Sequence, residues 1–224
     1  MAALLTDRLE KEIEYQFQDQ KLLRDALTHS STGRDKNYER LEFLGDRVIG
    51  LIIAERLFEK FPLETEGDLA KRLAALVQGS LLSEIARQIN IGACVEFSSA
   101  EREAGGAEND NILADVFEAL IGALYLDGGF ARCQDLVDRL WADHFFQMKA
   151  PPQHPKTALQ EWAQGQGLPL PVYEIAEQSG PDHAPVFNIR LSVQGYPDLT
   201  AHGRSRQEAE KEAALAFLAQ QGLL

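Results

Sequence analysis

Four carboxylates stand in two stretches that otherwise read as buried helix. In the first, residues 38–54, Leu41, Leu44, Val48, Leu51 and Ile52 give the i, i+3, i+4, i+7 stripe of an amphipathic helix, and Phe43, Ile49 and Ile53 make much of the remaining circumference apolar. Glu42 and Asp46 sit four apart on one face of that helix, about 6 Å apart along its axis, with Glu39 one turn earlier on the same side. In the second, residues 111–126, the only charged residues are Asp115 and Glu118, three apart on one face, and no Lys or Arg lies between Arg102 and Arg132. A carboxylate buried without a partner must be paired, protonated or bound to a cation. Separate neutralisation by Arg40, Arg47 or Arg72 would answer for a single pair. Two such pairs in two apolar helices point instead to one shared cluster of Glu42, Asp46, Asp115 and Glu118, which cannot all stay ionised without an added cation. Hard oxygen ligands of this kind suit Mg²⁺ or Mn²⁺.

The elements that must hold these acids are helical. Apolar periodicity predicts helices over residues 7–16, 19–29, 37–60, 67–89, 111–127 and 130–147, with no convincing strand alternation, so the first part reads all-α. Thr65 followed by Asp68 resembles a capping box that opens the fourth helix, and Asn90 with Gly92 closes it. Three prolines between Pro151 and Pro155 stop helix and favour extended backbone, which marks a linker over residues 149–155 between units 1–148 and 156–224. Beyond it the pattern changes. A helix over 156–164 precedes two period-two stretches, 172–175 and 186–193, in which Phe187, Ile189, Leu191 and Val193 share a buried face. A short strand over 199–201 and an Ala-rich helix over 205–221 complete an α-β-β-β-α order.

Composition narrows the remaining classes. Hydrophobic residues make up 45% of the 224, ordinary for globular chains. Cys94 and Cys133 lie far apart with no CxxC spacing and histidine is sparse, so neither a disulfide framework nor a zinc site is expected. The first apolar run is too short for a signal-peptide core, and no segment approaches the roughly 18 uncharged apolar residues of a membrane span, so a soluble cytoplasmic protein is expected, with no membrane partner. Net charge is −13; residues 1–150 carry 17 basic and 27 acidic side chains, and residues 151–224 carry 5 and 8. Neither part is basic. Any nucleic-acid contact must come from local patches and bound cations, and must be sensitive to salt.

The run Glu39-Arg40-Leu41-Glu42-Phe43-Leu44-Gly45-Asp46 closely resembles the motif of the ribonuclease III catalytic domain, and residues 112–122 resemble that family's second acidic helix. Thr65-Glu66-Gly67-Asp68-Leu69 is similar to its intervening helix start. The C-terminal part resembles a double-stranded RNA-binding domain at Pro155-Lys156-Thr157, Leu159-Gln160-Glu161, Pro171-Val172-Tyr173, Gly180-Pro181-Asp182-His183 and Gly203-Arg204-Ser205-Arg206. Together the matches run from about residue 7 to residue 222.

The resemblance implies an all-α endonuclease domain followed by a small α+β RNA-binding domain, and a Mg²⁺ site formed by Glu42, Asp46, Asp115 and Glu118. Asp46 and Glu118 are then closest to the chemistry, and Glu39 and Glu66 are outer acids. The implied reaction is hydrolysis of double-stranded RNA to 5′-phosphate and 3′-hydroxyl ends with two-nucleotide 3′ overhangs, in ribosomal precursor processing and messenger turnover, with no small-molecule cofactor. Staggered cuts imply a homodimer, and Phe43, Leu44 and Ile49 supply apolar surface beyond the first helix's core stripe. For the RNA-binding part, the resemblance places Thr157, Gln160 and Glu161 in one minor groove and His183 in the next. Arg204, Ser205 and Arg206 then meet the phosphates between.

Two departures stand out. Gln207 and Glu210 occupy positions where stronger members carry lysines, and Arg47 stands where many members have Ser beside the catalytic Asp. A catalytically silent duplex-binding or assembly protein is the rival reading, and the complete acid set speaks against it. A phosphohydrolase of small molecules would leave the α-β-β-β-α unit unexplained.

Overall fold

The computed structural model describes residues 2–148, 150–181 and 185–223. It forms two units, Met1–Pro152 and Gln153–Leu224. Among the described residues the first is helical: α1 (Ala2–Glu12), α2 (Gln20–Ala26), α3 (Glu39–Lys60), α4 (Glu66–Leu76), α5 (Gly79–Gln88), the short α6 (Ser99–Glu103), α7 (Asp110–Gly128) and α8 (Phe130–Gln147), with 3-10 turns at Ser30–Thr32, Ile91–Cys94 and Gly106–Glu108. No helix among these residues is long and apolar enough to cross a membrane.

Side-chain caps set several of the starts. Asp19 accepts from Lys21 N at α2, Thr65 from Asp68 N at α4, and Asn109 from Asn111 N and Ile112 N at α7. Asn90, in the left-handed region at φ 54°, follows the end of α5.

The helix expected over 67–89 is two helices. Leu73 O accepts the N–H of Val77, Gln78 is extended at φ −69° and ψ 144°, and Gly79 opens α5. The free carbonyl of Leu76 at this break accepts from the indole Nε1 of Trp141 at 2.9 Å. A tertiary donor from α8 therefore satisfies a group that an uninterrupted helix would have satisfied itself. The helix expected over 7–16 runs earlier, over Ala2–Glu12.

The middle of α7, from Leu113 to Leu124, is largely buried and forms the centre of the unit, with Phe117, Leu120 and Ile121 fully enclosed and the Phe117 ring against Trp141. Against it α3 buries Val48, Ile49, Ile52, Ile53 and Leu57. This corrects two assignments. Ile49, read as surplus to the core, is 1% exposed, and Leu51, read as part of the core stripe, is 60% exposed. The buried face of α3 is centred on Gly45, where it meets α7, and that rotates Leu51 outward and Ile49 inward.

Arg72 of α4 is 1% exposed and therefore needs a partner. It donates from Nε to Glu64 Oε2 at 2.7 Å and from Nη1 to the Met148 carbonyl at 2.9 Å, with its guanidinium 3.7 Å from the Phe61 ring centroid.

The second unit consists of α9 (Pro155–Gly165), β1 (Val172–Ser179), β2 (Val186–Ser192), β3 (Leu199–Gly203) and α10 (Arg206–Gln220). Pro155, placed in the linker by sequence, is the first residue of α9 and is buried. A three-stranded antiparallel sheet in the order β1-β2-β3 pairs Ile175 with Ile189 and Leu191 with Leu199, and a bulge lies between Ile175 and Glu177. Ile189, Leu191 and Val193 are buried and Phe187 is half-buried. The core of this unit joins Leu159, Leu191, Val193, Ala213, Ala214, Phe217 and Leu218, with the Trp162 ring packed edge-on against Tyr196 and Phe217.

Candidate functional site

Two glycines bring the acidic helices together. A Cβ on Gly45 of α3 would lie 1.8 Å from the carbonyl oxygen of Glu118, and one on Gly122 of α7 would lie 2.2 Å from the carbonyl oxygen of Leu41. The helices therefore touch backbone to backbone, closer than helices separated by side chains. One turn from this crossing, Glu42, Asp115 and Glu118 each offer a carboxylate oxygen within 4.8 Å of the others'. Both glycines lie inside the stretches that carry the acids, yet nothing in the sequence separates a contact glycine from Gly50, whose Cβ would meet open space.

Burial acts on all three acids, and repulsion by neighbouring carboxylates on Glu118 and Glu42. Burial, then the neighbouring Asp115 and Glu42 carboxylates, push the Glu118 carboxyl up to about 7, with Arg47 pulling the other way. Glu42 is raised by burial and then by Asp115 and Glu39, and Asp115 is raised by burial, opposed by His29. A shared cation would relieve this, and the donor set, all carboxylate oxygen, suits a hard one.

Asp46 is engaged by its chain neighbour instead. Its carboxylate pairs with Arg47, whose guanidinium also lies 5.4 Å from the Phe43 ring centroid, and it is not one of the three clustered acids. Separate neutralisation thus describes Asp46, while Arg40 is exposed and Arg72 is committed to Glu64. Glu39 is exposed and accepts from Asn37 Nδ2 at 3.2 Å; Glu66 is the exposed first residue of α4.

Two residues near the acids went unread in the sequence. The His29 ring stacks on Tyr38 with centroids 5.4 Å apart, and its Nδ1 accepts from Ser31 N at 3.2 Å. The Tyr38 hydroxyl is raised by burial and by Asp115, Glu42 and Glu39, which sets it in the field of the same acids. Thr28-His29-Ser30 looks like an ordinary polar run. It reaches the site because His29 N donates to Glu96 O at 3.0 Å and Glu96 N to Leu27 O at 2.8 Å, a long-range pairing with no local signal.

A pH dependence follows for the metal-free chain. The unfolded Glu118 carboxyl loses its proton near 4.5, whereas the folded one keeps it to about 7. Between those values the folded state binds more protons than the unfolded state, so stability falls as pH rises, by at most about 3 kcal/mol once both forms are ionised. Thermal melts in chelator should show Tm declining through this window, and less steeply in Glu118→Gln. A Glu118→Gln curve parallel to the parent would contradict the assignment.

In the second unit, Thr157, Gln160 and Glu161 are exposed on α9, and Glu161 accepts from Gln153 Nε2 at 3.3 Å. Ser205 caps α10 by accepting from Glu208 N, and Glu208 Oε2 accepts from Arg204 N at 2.6 Å. Arg206 Nε donates to Glu210 Oε1 at 2.8 Å. His183 lies outside the described residues.

Residues 19–144 match the family described as Ribonuclease-III-like, and residues 155–221 match the double-stranded RNA binding motif. A protein named Ribonuclease 3 from Ehrlichia ruminantium (strain Welgevonden) is 47% identical over 96% of this chain and 97% of its own length. One of the same name from Caulobacter vibrioides (strain NA1000 / CB15N) is 48% identical over 96% of this chain and 95% of its own. Among solved structures, the nuclease domain of ribonuclease III from Campylobacter jejuni is 44% identical with a TM-score of 0.60, covering 63% of this chain and 96% of that one. A second structure of that domain, with the same identity and TM-score, describes structural flexibility in a region involved in its dimer formation.

Proposed function

The chain belongs to the ribonuclease III family and is a double-strand-specific endoribonuclease, and from that premise we propose that Glu42, Asp115 and Glu118 hold the divalent cation its cleavage requires, with Asp46 joining them. The observation that carries this is the convergence of three half-buried carboxylates whose proton affinities are all raised. Mg²⁺ is the cation that oxygen-only ligation favours, with Mn²⁺ as its substitute. When bound, it would supply a water activated near neutral pH and charge neutralisation at the scissile phosphate.

The chain's own residues prepare that site. Glu118, whose carboxyl holds its proton to about 7, would have to release it to serve as a ligand. Glu42 and Asp115 supply the opposing charge, and Glu39 and Glu66 act as outer acids. Asp46, paired with Arg47, would have to give up that partner to join Glu42, Asp115 and Glu118, which would free Arg47 for the RNA backbone or the partner chain.

Paired sites require a homodimer, and the outward row of α3 supports one: Phe43 is 68% exposed, Leu51 60% and Phe58 73%. The relative whose structure describes a dimer-forming region is in keeping with this. In the second unit, Thr157, Gln160, Glu161 and His183 would read minor-groove shape, with Arg204, Ser205 and Arg206 on phosphate. The products would be 5′-phosphate and 3′-hydroxyl ends with two-nucleotide 3′ overhangs, made in the cytoplasm from ribosomal precursors and messengers.

The test is a labelled RNA duplex incubated with the full chain. Staggered cuts with Mg²⁺ and none with chelator are expected. An intact duplex in the Mg²⁺ lane would instead identify a silent duplex binder.

A further inference from the structure

We infer that Glu210 limits how tightly this chain holds duplex RNA, by occupying the two cations, Lys156 and Arg206, that stand at the N-terminal ends of α9 and α10. The inference rests on the second unit being the duplex-binding part. Residues 151–224 carry five Lys and Arg. Ion pairs among the described residues engage three of them, Arg190 with Glu174, and both Lys156 and Arg206 with Glu210.

The contact at Glu210 is built in rather than incidental. Its side chain is 7% exposed, whereas the cations around it are 32% and 60% exposed. Lys156 Nζ donates to one carboxylate oxygen and Arg206 Nε to the other, at 2.8 Å. Below them Lys156 Nζ lies 4.8 Å from the centroid of the Tyr173 ring. One buried carboxylate therefore ties α9 to α10 over β1, and each cation keeps an outward side facing solvent.

Duplex binding draws its sequence-independent affinity from cations that replace condensed counterions on phosphates. A cation already sharing a carboxylate contributes little to that exchange, and a phosphate approaching Arg206 also meets the charge of Glu210. Glu208 adds to the effect by taking the Arg204 amide, one of the N–H groups at the start of α10. Glu210 thus halves the charge of what would be a doubly positive, phosphate-facing pair, and leaves more of the contact to shape recognition by α9.

The experiment measures affinity of the full-length chain for a 20-base-pair RNA duplex, in chelator so that nothing is cut, across a series of salt concentrations. Glu210→Gln keeps the shape and the acceptor oxygen and removes the charge. Binding about tenfold tighter is expected, with a slope of log K against log salt steeper by about 1 to 2, the value for one or two added phosphate contacts. Lys156→Gln should change affinity less than twofold in the parent and cancel about half of the gain in Glu210→Gln. Unchanged or weaker binding by a folded Glu210→Gln, with an unchanged slope, overturns the inference. Should that variant melt the unit, Lys156→Gln alone decides, because a loss beyond fivefold would show a cation already at work on phosphate. Failure of the parent and of Glu210→Gln to bind any duplex at low salt would instead overturn the reading of the unit itself.

Discussion

Glu118→Gln should abolish strand cleavage, by on the order of 10³-fold or more, while duplex binding stays within about twofold of the parent. Glu118 feels both Asp115 and Glu42, and its carboxyl is raised to about 7. Gln preserves its volume and one oxygen but removes the charge that a divalent cation would neutralise. Because that charge is repelled in the metal-free chain, the variant should melt no lower than the parent in chelator above pH 7. The combination is diagnostic: cleavage lost, binding kept, apo stability kept or raised. Single-turnover cleavage, filter binding and melts in chelator measure the three. Cleavage within tenfold of the parent would remove Glu118 from the site.

Gly122→Ala should lower the melting temperature of the first unit by about 10 °C, corresponding to roughly 3 kcal/mol. The added methyl would sit 2.2 Å from Leu41 O and 3.2 Å from Gly45 N, so backbone, not a flexible side chain, must give way. Ala gains up to about 1 kcal/mol over Gly in helix propensity, which is too little to offset the clash. Separating the helices also pulls Glu42 away from Glu118, so cleavage should fall even where the variant is folded. Gly50→Ala is the internal control, since a methyl there meets nothing within 4 Å and should leave stability unchanged or raise it. Melts of both variants followed by circular dichroism decide the matter, and equal effects of the two would refute the close-contact account.

The sequence disclosed most of what depends on local pattern. Acid pairs at helical spacing, the Thr65 cap, the proline-rich stop and the strand alternation of residues 186–193 all rest on interactions within a few residues. What it withheld depends on partners far along the chain. The break at Gln78 is capped by Trp141, some sixty residues on, and Gly79 alone is too weak a local signal to predict it. Which side of α3 is buried follows from where Gly45 meets Gly122, so periodicity alone misassigned Ile49 and Leu51. Asp46 and Glu42 looked equivalent by spacing, yet the first turns to Arg47 and the second to α7. Glu210 read as a missing lysine. Only its position between Lys156 and Arg206 shows that it also pairs with two of the cations that remain.

The two tryptophans are divided one to each unit. Trp141 is fully enclosed beside Phe117, the neighbour of Glu118, with its indole N–H committed to a carbonyl. Trp162 is half-buried among Tyr196 and Phe217, on the helix that carries Gln160 and Glu161. The molecule therefore carries two intrinsic fluorophores in different dielectric surroundings, one lodged behind the acids and the other on α9 of the second unit. An emission spectrum of the unlabelled chain superposes two signals, and removing either indole leaves an optical report on the other unit alone.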